Sequence, residues 1–94
     1  MLNAGIMALP DREETAQGHE KQFGVNHLGH FHLTKLLMDK VKASEEGRII
    51  VLSSLAHTNG RIRFDDMGHT ASYAGWEAYE MSKLANVYFT RSLS

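Results

Sequence analysis

The sequence predicts an α/β fold built on a parallel sheet, and three segments carry that prediction. A helical period runs from about Gly18 to Lys42, an unbroken apolar run follows at Arg48-Ile49-Ile50-Val51-Leu52-Ser53, and a second helix spans about Gly75 to Leu93. In the first helix Leu33, Leu37 and Val41 fall four apart, and Val25, Leu28 and Phe31 three apart, which lines up one apolar face. Gly24 and Gly29 interrupt that face, each costing about 1 kcal/mol relative to alanine. Such a cost is offset where the backbone must come close to a neighbouring helix or a ligand. Ser44-Glu45-Glu46-Gly47 ends the helix. The run after it is rich in β-branched residues and does not alternate, which is the pattern of a strand buried on both faces. Met1-Leu2-Asn3 is too short for a strand and reads as the tail of one. A single complete strand makes no sheet, so residues 1–94 are expected to be part of a larger α/β domain.

The remaining segments read as connections. Ala8 to Gln17 is polar and holds the only proline, Pro10, and the charged run Asp11 to Glu14, a solvated turn. Leu55 to Tyr73 is irregular, with Asn59-Gly60 as a turn signal. At 94 residues the chain would bury roughly 60–65% of its unfolded surface, so its stability margin is expected to be thin. With 43% apolar and 22% charged residues the composition is that of a soluble globular segment. A formal charge of −1 gives no footprint for nucleic acid or an anionic membrane. Cysteine is absent, which removes disulfides and thiolate metal sites and suits a reducing compartment. No transmembrane run or signal peptide is visible, and no compartment is indicated.

The chemistry concentrates on the last helix. Tyr79, Ser82, Lys83, Asn86 and Thr90 form a polar stripe beside an apolar one of Met81, Leu84, Ala85 and Tyr88. Tyr79 and Lys83, four apart, lie one above the other. A free phenol ionises near about pH 10, and an ammonium close by favours the phenolate, so such a pair can work as an acid/base. Taken alone, a Tyr-x-x-x-Lys spacing is most often a surface tyrosine and a solvated lysine. Here it has company. The strand run ends in Ser53-Ser54, at the carboxyl edge where open α/β sheets bind ligands. Asn26, a poor helix former, sits inside a helix between two glycines, which points to a kink with a functional amide. Asn3-Ala4-Gly5 directly follows the strand tail. His27, His30 and His32 lack an evident third metal ligand, so no metal is expected. Trp76, Phe89 and Phe64 read as core or interface residues.

In this order, the Asn3-Ala4-Gly5 turn, the Val25-Asn26-His27-Leu28-Gly29-His30-Phe31 segment, strand-end Ser54 and Tyr79-x-x-x-Lys83 resemble the short-chain dehydrogenase/reductase family along essentially the whole chain. The wording Leu52-Ser53-Ser54-Leu55-Ala56-His57 and Ser82-Lys83-Leu84-Ala85 is closest to the retinol dehydrogenase branch. The interval of 25 residues from Ser54 to Tyr79, against about a dozen in most of the family, agrees with it. The resemblance implies the central fragment of a Rossmann-type, doubly wound parallel sheet domain. It also implies an NAD(P)-dependent oxidoreductase that interconverts a hydrophobic alcohol and its aldehyde or ketone, the branch favouring NADP over NAD. Tyr79 would be the general acid/base. Lys83 would support its ionised form and hydrogen-bond the nicotinamide ribose. Ser54 would polarise the substrate oxygen, and Asn26 would hold a water linking Lys83 to solvent. Asn3, Ala4 and Gly5 would border the adenosine side of the cofactor.

Two departures accompany the resemblance. Leu2 stands where the family turn usually has a first asparagine, and residues 1–94 include neither the glycine-rich turn that cradles the pyrophosphate nor the C-terminal substrate-closing segment. Turnover by these residues alone is therefore not expected. The family commonly pairs the helices at 18–42 and 75–93 across a dimer axis, which implies a homodimer. The same helices give an alternative function, a noncatalytic fragment that pairs with a full-length relative.

Overall fold

The computed structural model describes all of residues 1–94. The first long helix starts at Lys21 rather than Gly18, because Gly18 takes a left-handed φ of 87° and turns the chain before Glu20. Glu20 caps the start. Its buried carboxylate accepts from the N–H of Gln22 (2.7 Å) and of Phe23 (2.9 Å), satisfying donors that the first helical turn leaves free. After α1 (Lys21–Phe23) the helix opens into a π turn, Gly24–Leu28, and resumes as α2 (Gly29–Ala43). The wide turn is closed by Gly29 N–H on Gly24 O, five residues apart. A side chain on Gly24 would come 2.5 Å from Thr15 Cγ2, so glycine is required for the loop to pack there. Ser44, in extended conformation, ends α2.

The segment after α2 departs from the expected strand. Val51 pairs in parallel with Leu2 through one bridge, built from Leu2 N–H to Ile50 O (2.7 Å) and Leu52 N–H to Leu2 O (3.3 Å). The direction of pairing is the expected one, but residues 48–53 form no ladder, and Ile50 remains 46% exposed. Met1-Leu2-Asn3 offers these residues a single short partner, and a strand paired along one edge for one rung leaves both of its faces partly open. Residues 1–94 make no sheet of their own.

A 3₁₀ turn at Leu55–Asn59 follows, and α3 (Gly75–Leu93) closes the chain as expected. Between them, the Asp66 carboxylate accepts from Thr70 N–H, Thr70 Oγ1 and Ala71 N–H. Those bonds, the Thr70 backbone bond first, hold its carboxyl down to about 2. The long 60–74 loop is tied back to the N-terminal loop by Arg12 Nε on Gly68 O (2.9 Å) and Tyr73 OH on Leu9 O (2.8 Å). The ion pairs Arg12–Glu14 and Lys21–Glu13 lie on the surface, where each contributes little.

The apolar core is small: Phe23, Met81 and Ala85, with Leu28 and Ile62 packed against them. Phe89 is buried, while Phe64 and Trp76 are 84% and 58% exposed, so neither is a core residue within this chain. In α2 only Thr34 is buried, and Phe31, Leu33, Leu36 and Leu37 of its apolar side are exposed. A helix with so little packing is stable only while its backbone bonds hold, and those open readily. Amide exchange across residues 33–43 is therefore expected to be much faster than across 78–89, where α3 is buried. Equal protection of the two stretches in native-state exchange would contradict this.

Candidate active site

Parallel pairing of Leu2 with Val51 sends Asn3-Ala4-Gly5 and Leu52-Ser53-Ser54 off the same carboxyl edge. Two asparagines then join this edge to the helices. Asn26, fully buried in the π turn, accepts from Ile6 N–H at Oδ1 (2.8 Å) and donates from Nδ2 to Ile6 O (2.9 Å) and Ser82 Oγ (3.0 Å). Ser82 Oγ donates in turn to Tyr79 O (2.7 Å). Asn86 donates from Nδ2 to Asn26 O (2.8 Å) and Leu52 O (3.1 Å), so one buried amide spans the π turn, the strand segment and α3. Its Oδ1 lies 3.0 Å from His27 Nδ1. An amide oxygen only accepts, so His27 carries its proton on Nδ1. Of the polar stripe read on α3, Ser82, Lys83 and Asn86 are buried, Tyr79 is half-buried and Thr90 exposed.

Ser53 and Ser54 divide their work. Ser53 Oγ donates to Lys83 O (2.8 Å), which docks the strand end on α3. Ser54 caps the 3₁₀ turn: its Oγ accepts from Ala56 N–H (3.1 Å), and its carbonyl accepts from His57 N–H and Nδ1. Its hydroxyl proton stays free to donate. Asn3 and Ala4 are exposed beside this edge. Lys83 is 7% exposed, yet its ammonium makes no hydrogen bond within the protein; it lies 5.6 Å from the Tyr79 ring centroid. A Cβ placed on Gly5 would meet Asn26 Oδ1 at 3.2 Å and Lys83 Nζ at 3.6 Å. Glycine there keeps open a space bordered by an acceptor with a spare lone pair and by free ammonium donors. This donor set fits the ribose hydroxyls of a nicotinamide nucleotide, with Lys83 as the residue that would hold them.

Asn26, Gly5, Tyr79 and Lys83 thus come together, and Ser54 follows Ser53, whose hydroxyl meets Lys83 O on α3. Sequence reading missed Gln22, whose buried amide accepts from Ala8 N–H (2.7 Å) and donates to Tyr73 OH and Gly75 O (both 2.9 Å). It also assigned no role to Asn86 or Ser53. Its place in the polar stripe of α3, three residues beyond Lys83, was the available signal for Asn86. No group of three or more His, Asp or Glu side chains is placed to hold a metal ion, and no helix is long and apolar enough to cross a membrane.

Burial lowers the proton affinity of three histidines. His27 is shifted down against an opposing bond to Asn86, His30 by burial first, and His69, 1% exposed, against opposing carboxylates led by Glu20. Below the ordinary value of 6.5 the unfolded chain takes up protons that the folded chain refuses. The stability these groups contribute is whole above that pH and is lost progressively as the pH falls through their lower folded values. Asp66 adds a second loss further down, between 3.8 and about 2. Urea midpoints followed by circular dichroism are expected to drop steadily from pH 7.5 to 5; a constant midpoint would contradict it.

The short chain dehydrogenase family profile matches residues 1–94. The chain is 58% identical over 93 residues to human retinol dehydrogenase 13, covering 98% of this chain and 28% of that protein. It is 50% identical over 92 residues to mouse retinol dehydrogenase 12, covering 98% of this chain and 29% of that protein. A solved structure of an uncharacterized protein from Mycobacterium Paratuberculosis superposes with a TM-score of 0.86 at 45% identity, over 98% of this chain and 33% of that one. The chain spans less than a third of the curated relatives' length. From the motifs on one carboxyl edge and these likenesses together, the chain belongs to the short-chain dehydrogenase family, in the branch of the retinol dehydrogenases.

Proposed function

We propose that residues 1–94 are the central part of a doubly wound Rossmann domain and carry the proton-transfer half of an NAD(P)-dependent alcohol/carbonyl oxidoreductase. The observation that carries the reading is the buried Lys83 ammonium, free of protein partners, beside both the Tyr79 ring and the space kept open by Gly5. In oxidation the Tyr79 phenolate takes the hydroxyl proton of the substrate, and in reduction the phenol returns it to the carbonyl oxygen. Lys83 stabilises the phenolate and holds ribose hydroxyls. Ser54, its hydroxyl proton unengaged, donates to the substrate oxygen where charge develops. Asn26 Oδ1 and Lys83 Nζ border one space, which suits a shared water that passes protons outward. Asn3, Ala4 and Gly5 border the adenosine side. The nicotinamide, when bound, accepts or supplies the hydride. The names of the relatives support a hydrophobic alcohol or aldehyde of the retinoid kind as substrate; NADP rather than NAD as cofactor is part of the proposal and rests on the branch resemblance alone.

The test is a hybrid enzyme in which residues 1–94 replace the matching segment of human retinol dehydrogenase 13. Retinol oxidation by the hybrid supports the reading, and a folded hybrid without it overturns the reading. Residues 1–94 alone, which hold no glycine-rich turn, are expected to give no NADPH-dependent turnover.

A second reading is pairing with another copy or a full-length relative through the helices at 18–42 and 75–93. It is favoured by an apolar groove of about 240 Å³ lined by Phe31, Met38, Phe89 and Leu93, with Tyr88 exposed nearby. Sedimentation of the chain as a dimer would support this reading.

A further inference from the structure

We propose that His27 is a positioning residue of the Tyr79 site. It acts through Asn86 to hold in one register the three elements that carry Tyr79 and Lys83, Asn26, and Ser54. Its Nδ1–H donates to Asn86 Oδ1 (3.0 Å), and the far end of the same amide donates to Asn26 O (2.8 Å) and Leu52 O (3.1 Å). Asn26 borders the space beside the Lys83 ammonium, and Leu52 lies two residues before Ser54. Asn86 itself stands three residues beyond Lys83 and seven beyond Tyr79 on α3. The other side-chain bonds at this junction, Asn26 Nδ2 to Ser82 Oγ (3.0 Å) and Ser53 Oγ to Lys83 O (2.8 Å), each join two elements. The Asn86 amide joins all three.

That amide keeps its orientation only while both of its ends are bonded. Asn86 is 1% exposed, so solvent does not stand in for His27 at Oδ1. Without the His27 bond the amide can turn away from the two carbonyls, or reverse and set its oxygen against them. The imidazole is held for this task by its neighbours, with the tilted Phe23 ring centroid 5.0 Å away and the edge-on Phe89 ring 5.8 Å away. The atoms nearest a Cβ on Gly5 belong to Asn26 and Lys83, not to His27 or Asn86. His27 therefore acts by placement alone. Misplacing reacting groups by about 1 Å costs up to about a hundredfold in rate.

The inference rests on the dehydrogenase reading of Tyr79, and two variants of the hybrid enzyme separate a bond that positions from a ring that packs. His27→Phe keeps an aromatic ring among Phe23, Phe31 and Phe89 and removes the donor. His27→Asn carries a donor, Nδ2, where His27 has Nδ1, and gives up the ring. With retinol and saturating NADP, His27→Phe should lower kcat about tenfold to a hundredfold and leave KM within about twofold of the parent. His27→Asn should recover most of kcat while unfolding at a lower urea concentration than His27→Phe. Packing alone would order the two the other way, with His27→Asn poorer in both rate and midpoint. That order, or a kcat for His27→Phe within about twofold of the parent, overturns the inference and leaves the dehydrogenase reading standing. Loss of helix content in His27→Phe overturns it too, since the bond would then be structural. A folded parent hybrid that oxidises no retinol overturns the dehydrogenase reading, and this inference with it.

Discussion

Tyr79→Phe in the hybrid enzyme is expected to lower kcat by about a hundred- to ten-thousandfold, the range that loss of a positioned proton donor costs. The substitution removes one oxygen and leaves the ring. The edge-on contact with Trp76 survives, as does the place of the ring 5.6 Å from Lys83 Nζ. Within the chain the Tyr79 side chain has no hydrogen bond to lose; its backbone carbonyl, which accepts from Ser82 Oγ, is untouched. Denaturation midpoint and helix content should therefore match the parent, and KM should change little. A kcat within a few-fold of the parent would take Tyr79 out of proton transfer. A fall in both kcat and stability would mean that the hydroxyl is structural.

Asn86→Ala should have the largest effect on folding. It strips partners from Asn26 O, Leu52 O and His27 Nδ1–H at once. Each buried group left unsatisfied costs about 1–3 kcal/mol, so a loss of about 3 kcal/mol or more is expected. A chain of this length has roughly 5–15 kcal/mol in total and sits near the low end with so small an apolar core. Much of its interior is polar: Glu20, Gln22, Asn26, His69, Ser82 and Lys83 are buried alongside Asn86. Order there depends on each bond being made. Asn86→Asp is the informative companion, since it keeps an acceptor for His27 and loses both donated bonds. It should fall between the parent and the alanine variant. A urea midpoint for Asn86→Ala within about 0.5 kcal/mol of the parent, the range of ordinary surface substitutions, would show that the three elements are held by something else.

The same residues divide what could be read early from what could not. The two long helices were legible because helical period is local, and α3 begins and ends where its pattern does. The motif residues were legible because Tyr79 and Lys83 share a helix face by spacing alone. The kink at Asn26 was foreshadowed by its flanking glycines, although its form, a π turn closed by Gly29 on Gly24, depends on Gly24 packing against Thr15. The strand was overread. A β-branched run shows what a segment prefers, whereas a ladder needs partners, and Leu2 supplies one rung.

Local pattern by itself determined the helices, the family and which side chains are candidates for the chemistry, since each follows from residue type at short spacing. Tertiary structure alone decided that Ser53 anchors while Ser54 is presented, that Asn86 joins three elements, and that the Lys83 ammonium faces the space at Gly5. Those outcomes depend on pairs such as Asn26 with Ser82 and Gln22 with Tyr73, more than fifty residues apart along the chain. A hydrogen bond between such distant groups leaves no periodic trace in sequence, because only the folded backbone brings its donor and acceptor within reach.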